Sequence, residues 1–567
     1  MKWSILHPDE QLVSSIQKSF RTSEVIARVL ANRHIHTKAE AVPFFNPDWK
    51  KLHDPFLMMD MDKAVDRILK NIQIKKPILI LGDYDVDGTT GTAALCIALK
   101  IFGGNVQYYI PDRQKEGYGL STKGIDYAVN IDADLLITCD CGINAFEKVD
   151  FANEKAIDVI ITDHHTPDEK LPNAMAILNP KRKDCTYPFK GLCGGGVAFK
   201  LISALALKLN ISVSKYAEIL PLITLGTAAD IVPIIDENRI IVYHGLSLFH
   251  DLEKPGLKIL LELSGLAGSI SVGQLVFSVA PRINAAGRLG DANRAVELFV
   301  TDDEKRAKQL AKELDEENKR RQLIQQAVVD EAFLKVNAEA DLKNDYALVL
   351  AKEGWHPGVV GIVASKIKEE FHRPTVIIAM ENGLGKGSAR SINGFDLYEA
   401  LTACKDYLEG YGGHPMAAGL TVSSKKFEDF KKAFIRFAND SLSQDDMEAT
   451  LTLDSLMTLQ DITPRFMEFL DKLGPYGPGN MRPRFALSGA EIVGVPKVIG
   501  KTGEHLRFKV RQGQRSYPAV GFGLSDKYEM LITGKPVDIA FVVETNEWQG
   551  NTSIQLNVRD IKLTAES

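Results

Sequence analysis

The chain has 567 residues, 45% hydrophobic and 25% charged, an ordinary globular composition with room for about three or four domains. A net charge of −6 argues against a wholly electrostatic nucleic-acid coat, without excluding a basic groove on an acidic protein. No run of about 18 uncharged apolar residues marks a membrane span, and the opening MKWSILHPDEQ, with one Lys and no sustained apolar stretch, is not read as a signal peptide.

Residues 1–60, with Pro at 8, 43, 47 and 55, predict short helices and turns. From about 60 to 240 the pattern alternates. KPILILGD, NVQYYIP, ADLLITCD and AIDVIITD are short β-rich runs, separated by helical stretches such as TTGTAALCIALKIFG and GINAFEKVDFANEKA. That rhythm predicts a parallel sheet covered on both faces. GLCGGGVAFK, residues 191–200, lacks the Lys-Ser/Thr of a P-loop and the full dinucleotide fingerprint, so it reads as a tight turn into a closely packed helix. The apolar stretch 197–225 is predicted helical. Residues 301–335 contain no Gly or Pro and carry two thin apolar stripes: Ala307, Leu310, Ala311 and Leu314, then Leu323, Ile324, Ala327 and Val328. A helix polar around most of its circumference suits a bridge between domains. A second α/β unit, from about 345 to 445, opens with YALVLAKEG and PTVIIAM. Beyond about 448, turn residues at short intervals separate HLRFKVRQ, SYPAVGFG, PVDIAFVVETNEW and TSIQLNVRDIKL, the pattern of a small all-β barrel or sandwich.

The chemistry begins in ILILGDYDVDGTTGTAAL, residues 78–95. Asp83, Asp85, Asp87 and Gly88 fit the opening of an EF-hand loop. The twelfth position, however, is Ala94 rather than a bidentate Glu, and a β run rather than a helix precedes it. One Asp would cap the following helix; three crowded carboxylates repel one another unless a cation lies between them. Asp140 follows LLIT, and Asp163, His164 and His165 follow VIIT. Strands of a parallel sheet point the same way, so their C-terminal ends share the edge where open α/β sheets place ligand sites. Asp230, in PLITLGTAADIVP, ends another apolar run. Mixed Asp and His ligands with several carboxylates suit Mn2+ or Mg2+, and two ions rather than one, whereas a single zinc uses fewer acids. Neighbours on a strand face opposite sides, so His164 and His165 need not both reach such a site. The six cysteines include no C-x-x-C pair and read as buried free thiols of a reducing cytoplasm.

ITDHH, with DYDVDG upstream and the isolated Asp140, resembles the DHH phosphoesterase superfamily. YIPDRQKEGYGLS (109–121), TLGTAADIVP (224–233), APRINAAGRLG (280–290), KGSARS (386–391), GGHPMAAG (412–419) and PYGPGN (475–480) look like blocks of the RecJ family of bacterial single-stranded-DNA exonucleases, in that family's order. The resemblance covers nearly the whole chain. One departure is GNMRP, where family members usually carry Pro directly after GN.

The resemblance implies 5′-to-3′ removal of mononucleotides from single-stranded DNA, in repair and recombination, in the bacterial cytoplasm at the nucleoid. It implies an N-terminal helical segment (1–60), a DHH catalytic domain with a parallel sheet (61–300), a connecting long helix (301–340), a DHH-associated α/β substrate domain (341–447) and an all-β OB-fold domain (448–567). Asp85, Asp87, Asp140, His164 and Asp230 would hold two divalent ions, Mn2+ or Mg2+. Asp83 would be a further ligand or a support for one, and His165 would bind the scissile phosphate or support His164. Arg282, Ser388 and Arg390 match the family's 5′-phosphate pocket, and Arg113, Arg288 and His414 are further DNA-contact candidates. In the last domain Arg507, Phe508, Lys509, Tyr517, Phe522 and Trp548 mix basic and aromatic side chains as base stacking requires, with half of a barrel's aromatics turned inward. Phe508 and Trp548 are the DNA-contact candidates there. Family analogy adds a single-strand-binding protein and a RecQ-type helicase as partners of a monomer. Two rivals are a DHH phosphodiesterase of short oligonucleotides or cyclic dinucleotides, and a noncatalytic DNA-binding replication scaffold. The former is typically smaller; the latter would have lost metal ligands, and here all are present.

Overall fold

The computed structural model describes residues 1–113, 115–548 and 551–564. They form two compact units: residues 52–232 with 236–448, and residues 1–51, 233–235 and 449–567. No helix among the described residues is long and apolar enough to cross a membrane.

The larger unit opens with a five-stranded parallel sheet. Its strands are β1 (Pro77–Gly82), β2 (Asn105–Tyr109), β3 (Leu135–Cys139), β4 (Asp158–Thr162) and β5 (Ala176–Leu178), in the order β2-β1-β3-β4-β5. The runs ILIL, LLITC and VIIT are buried throughout. Unbroken apolar strands of this kind belong to a sheet covered on both faces. Helices α1 (Val86–Ile101) and α2 (Gly194–Lys208), each almost wholly buried, pack against one another and against α3 (Leu220–Ala229). Register aligns the strand ends. Gly82 pairs with Cys139, and Cys139 with Thr162, so the next residues, Asp83, Asp140 and Asp163, emerge side by side. The ladder continues one step past the strands, with Asp83 N–H donating to the Cys139 carbonyl (3.2 Å), Asp140 N–H to Thr162 (2.9 Å) and Asp163 N–H to Leu178 (3.1 Å).

After α4 (Ala280–Leu289), the charged run forms the 36-residue helix α5 (Glu304–Glu339). Its first expected apolar stripe is buried, but in the second Leu323 is 75% exposed, Ala327 is exposed and Ile324 half-buried, so the buried face there runs from Val328 onward instead. Ala307, Leu310, Ala311 and Leu314 are buried, and α5 packs along α4. Val328, Val329, Ala332 and Val336 join the core of the second α/β layer. That layer is a mixed sheet of β6 (Leu348–Glu353), β7 (Thr375–Glu381), β8 (Leu384–Arg390), β9 (Gly410–His414) and β10 (Ala417–Ser423), in the order β9-β10-β8-β7-β6.

In the smaller unit, strands 485–492, 537–548, 551–563, 515–521 and 505–512 pair in that order, and the last pairs back to the first. This is a closed five-stranded barrel, the geometry of an OB fold. Strand His505–Gln512 alternates strictly: Leu506, Phe508 and Val510 point in, and Arg507, Lys509 and Arg511 point out. The N-terminal helices Glu10–Phe20 and Glu24–Ala31 share the barrel's core through Val13, Ile16 and Ile26. Lys2–Ile5, expected as part of a helical segment, is instead a strand paired with Thr450–Leu453. At the GPGN departure the turn is held by Asn480, whose amide donates to the carbonyls of Leu473 and Pro475, both at 2.9 Å. The missing proline therefore costs the turn little.

Candidate metal centre and basic cleft

The three strand ends and one helix end bring the acids together. Asp83 leaves β1. Asp85 caps α1, accepting from Gly88 N–H at 3.0 Å, and Asp87 lies in that helix's first turn. Gly88 is required by crowding: a Cβ there would fall 2.5 Å from the Asp83 carbonyl oxygen. Asp140 leaves β3 in the left-handed region, with φ 63°. His164 Nε2 lies 3.2 Å from Asp140 Oδ1 and 3.5 Å from Asp230 Oδ2. Asp230 is the C-terminal cap of α3, the negative end of the helix dipole and an unfavourable place for a carboxylate without a cation.

Two sets of potential ligand atoms lie within 4.8 Å of one another: Asp83, Asp85 and Asp140, and Asp87, His164 and Asp230. Asp140, His164 and His165 form a third such set. Four of these residues carry buried polar atoms without a hydrogen-bond partner: Asp83 Oδ1, Asp140 Oδ1, both ring nitrogens of His164, and Asp230 Oδ2. Buried polar atoms are almost always paired, and these exceptions, with His164 Nε2 facing Asp140 and Asp230, fit a divalent cation site.

The electrostatics agree. Burial first, then repulsion from Asp85, pushes the Asp83 carboxyl well above its usual range. Burial, then Asp87, Asp85 and Asp230, does the same to Asp140. Asp230 is raised to about 9, by burial and then by Asp87 and Asp85, and burial raises Asp87. Burial lowers His164 to about 4, leaving a neutral imidazole with one ring-nitrogen lone pair free for a metal. Asp163 behaves differently. It accepts from the backbone N–H of Ile143 (3.0 Å), His164 (2.7 Å) and His165 (3.1 Å), and lies 2.7 Å from His165 Nδ1. Burial would raise its pKa, but the bonds from His165 and the backbone outweigh that and lower it. Asp163 is thus saturated and orients His165 rather than offering itself as a ligand. The two imidazoles do not face opposite ways, because both lie beyond the end of β4 and their ring centroids are 4.5 Å apart.

Two contributors escape sequence reasoning. The N–H groups of Gly194 and Gly195, at the start of α2, donate to Asp87 Oδ2 (2.6 Å) and Oδ1 (3.0 Å). The triple glycine in GLCGGGVAFK is the signal: a helix start meant to receive a carboxylate at close range. Tyr118 donates to the Asp140 carbonyl (3.1 Å) and stands 3.3 Å from His165 Nδ1. A Cβ on Gly194 would fall 2.4 Å from Asp140 Cβ and 2.5 Å from its Oδ1. Gly194→Ala is therefore expected to displace Asp140 and cut kcat about 10²-fold with the far-UV circular dichroism spectrum unchanged; full activity in the variant would show that Asp140 needs no exact placement.

A cleft of about 500 Å³ in the same unit is lined by Arg113, Arg288, Lys386, Ser388, Arg390, the backbone of β10 and glycines from neighbouring segments. Arg390 Nη1 donates to Ser388 Oγ at 2.9 Å, and Arg288 Nη1 to the Gly358 carbonyl at 3.1 Å. The Arg113 guanidinium lies 5.0 Å over the ring of Tyr84, the residue between Asp83 and Asp85.

Residues 77–227 match the DHH family, N-terminal domain, residues 344–440 the DHHA1 domain, and residues 453–560 the RecJ OB domain. The chain is 33% identical over 562 residues to the single-stranded-DNA-specific exonuclease RecJ of Haemophilus influenzae, covering 96% of this chain and 97% of that protein. The chain belongs to the RecJ family. It is 38% identical over 563 residues to RecJ of Bacillus subtilis, covering 99% of this chain and 70% of the relative. Its fold matches the crystal structure of Thermus thermophilus RecJ in complex with Mn2+, with TM-score 0.84 and 30% identity over 100% of this chain and 80% of that one. The Mg2+ complex matches with TM-score 0.79 and 29% identity, over 100% and 79% of the two chains. The expected class, two α/β domains joined by a long helix with a β-rich OB domain, holds for this RecJ family member.

Two residues expected at DNA do other work. Arg282 is not among the cleft residues. Its Nε pairs with Asp315 at 2.9 Å, its Nη2 donates to the Leu263 carbonyl (3.2 Å), and its Nη1 donates to the Ser278 carbonyl. The cleft's arginine from this RecJ block is Arg288, six residues further along α4 and so on a different face of it. Phe508 is 6% exposed in the barrel core, because the alternation of its strand turns it inward. Phe522 is 54% exposed and edge-on to His505 at 5.2 Å. His414 is exposed at the end of β9. Trp548 ends its strand, and its side chain lies outside the described residues.

Proposed function

We propose that this RecJ family member is a metal-dependent exonuclease that removes 5′-mononucleotides from the 5′ end of single-stranded DNA. The observation that carries this reading is the convergence of unpartnered buried donors on Asp83, Asp140, His164 and Asp230. The donor set, hard carboxylates with one imidazole, suits Mn2+ or Mg2+, the ions named for the T. thermophilus relatives. Asp83, Asp85 and Asp140 would hold one ion, and Asp87, His164 and Asp230 a second, with Asp140 and His164 at the seam. Two such cations, when bound, neutralise the phosphodiester, make a water acidic enough to attack near neutral pH, and stabilise the leaving oxygen.

The chain's own side chains then orient the strand. Asp163 fixes Nδ1 of His165, which leaves the other ring nitrogen to meet the scissile phosphate. The Gly194 and Gly195 amides hold Asp87 against rotation. Arg113, Arg288, Ser388 and Arg390 would grip the terminal 5′-phosphate, since planar guanidinium groups meet phosphate bidentately, and that grip sets the polarity. His414, and on the barrel Arg507, Lys509 and Phe522, are further candidates for contact with single-stranded DNA. A role in DNA repair and recombination, a cytoplasmic, nucleoid-associated location, a monomeric state, and a single-strand-binding protein and a RecQ-type helicase as partners rest on family analogy and belong to this proposal.

The test is digestion, with Mn2+, of a long single strand bearing a 5′-phosphate and labelled separately at each end. Early release of labelled mononucleotide from the 5′ end alone is the expected result. Early loss of the 3′ label would overturn the polarity, and cleavage of a dinucleotide with the long strand intact would favour a short-oligonucleotide phosphodiesterase.

A further inference from the structure

Helix α5 carries a charge the proposed mechanism does not use. Arg321 is 8% exposed. Its Nη1 donates to Gln325 Oε1 (2.6 Å) and its Nη2 to Asn318 Oδ1 (2.9 Å), both neutral, while its Nε has no partner. No acid compensates it, and burial alone lowers its pKa. A buried cation without a carboxylate is costly and is not retained for stability. Its neighbours sharpen the point. Helix α5 packs along α4, and Glu317, one turn before Arg321, lies against Gly290, two residues beyond Arg288; burial chiefly, then Arg113, Arg321 and Arg390, lowers the Arg288 guanidinium to about 10. Among the described residues none of these four arginines forms an ion pair with an acid, although α5 pairs Arg282 with Asp315 and Arg294 with Glu317 nearby.

We propose that Arg321 is a specificity-determining positioning residue of the phosphate cleft, a fixed positive charge on the helix packed along the one that carries Arg288, which tunes the cleft for a dianionic terminal phosphate over a singly charged internal diester. This rests on the reading of the cleft as the 5′-phosphate site. Field from a charge in a poorly polarisable interior reaches a neighbouring site with little screening. A phosphate monoester carries close to two charges near neutral pH, so it gains more than a diester from each added cation. The sequence hides this residue, since KRRQ in a charged helix reads as solvated surface.

The experiment compares kcat/KM on 5′-phosphorylated and 5′-hydroxyl single strands, for the wild type, Arg321→Met, Arg321→Gln and Arg321→Lys, together with melting of each protein in EDTA. The expected result is a wild-type preference for the 5′-phosphate that falls about tenfold in the Met and Gln variants and persists in the Lys variant. The Met variant should melt no lower than the wild type, because a buried uncompensated charge has gone. Gln keeps hydrogen bonding beside Asn318 and Gln325, so it stands in should Met disturb the helix. A wild-type preference left intact by Met and Gln, with a lowered melting temperature, overturns this inference alone and makes Arg321 a packing residue. A wild type indifferent to the 5′ group overturns the cleft reading and the inference with it.

Discussion

Asp140→Asn should fold, bind less metal and lose nuclease activity by about three orders of magnitude or more. Asn is the conservative choice, because Asp140 sits at φ 63°, a conformation that Asn tolerates and most residues do not. Asp140 belongs to two of the three ligand sets and lies 3.2 Å from His164 Nε2, so removing its charge weakens both halves of the centre at once. The metal-free variant should nevertheless be more stable than the wild type, by about 1 kcal/mol, because burial and repulsion from Asp87, Asp85 and Asp230 disfavour the ionised carboxylate. Activity on a 5′-labelled strand and melting in EDTA check both halves. An active variant would remove Asp140 from the metal site, and an inactive, destabilised one would mean the acid supports the fold instead.

The stabilisation produced by Mn2+ should grow with pH. Asp83, Asp87, Asp140 and Asp230 all have folded-state pKa values raised above the ordinary carboxylate range, Asp230 to about 9. For an acid raised on folding, the folded state binds more protons than the unfolded chain between the two pKa values. Metal-free stability from these groups is therefore greatest below the unfolded value, near 4, and falls as pH rises toward about 9 for Asp230. Metal binds the ionised forms, so protons and Mn2+ compete. In Mn2+ at about 100 times its dissociation constant the gain per site is about 2.7 kcal/mol, a rise of several degrees in the melting of the catalytic unit. Scans with EDTA and with Mn2+ at pH 5, 7 and 8.5 should show a small difference at the lowest pH and the largest at the highest. A difference that is flat or shrinks with pH would place the metal elsewhere.

Much of this arrangement is legible before folding is considered. Buried strands announce themselves as unbroken runs, ILIL, LLIT and VIIT, and parallel strands must deliver the residues after them to one edge. The acids and imidazoles at those ends therefore declare a shared site. The long helix is equally plain, because 35 residues from 301 to 335 without Gly or Pro leave the backbone no reason to turn. The outward basic residues of HLRFKVRQ are expected from period-two alternation.

What alternation and strand ends cannot supply is the partner each side chain meets across the fold. Asp83 and Asp163 sit at equivalent strand ends, yet one keeps an unpartnered oxygen and the other is saturated by the His165 ring and three backbone amides. Arg282 and Arg288 lie six residues apart on α4, and so on different faces of it, but only tertiary packing sets one against Asp315 and the other in the cleft. The residues and their order along the chain determined the fold class, the metal chemistry and the family. Which carboxylates stay free and which arginines stay unpaired were decided by tertiary packing, because desolvation and hydrogen-bond competition depend on neighbours tens of residues apart in the chain, as Arg282 and Asp315 or Arg288 and Gly358 are.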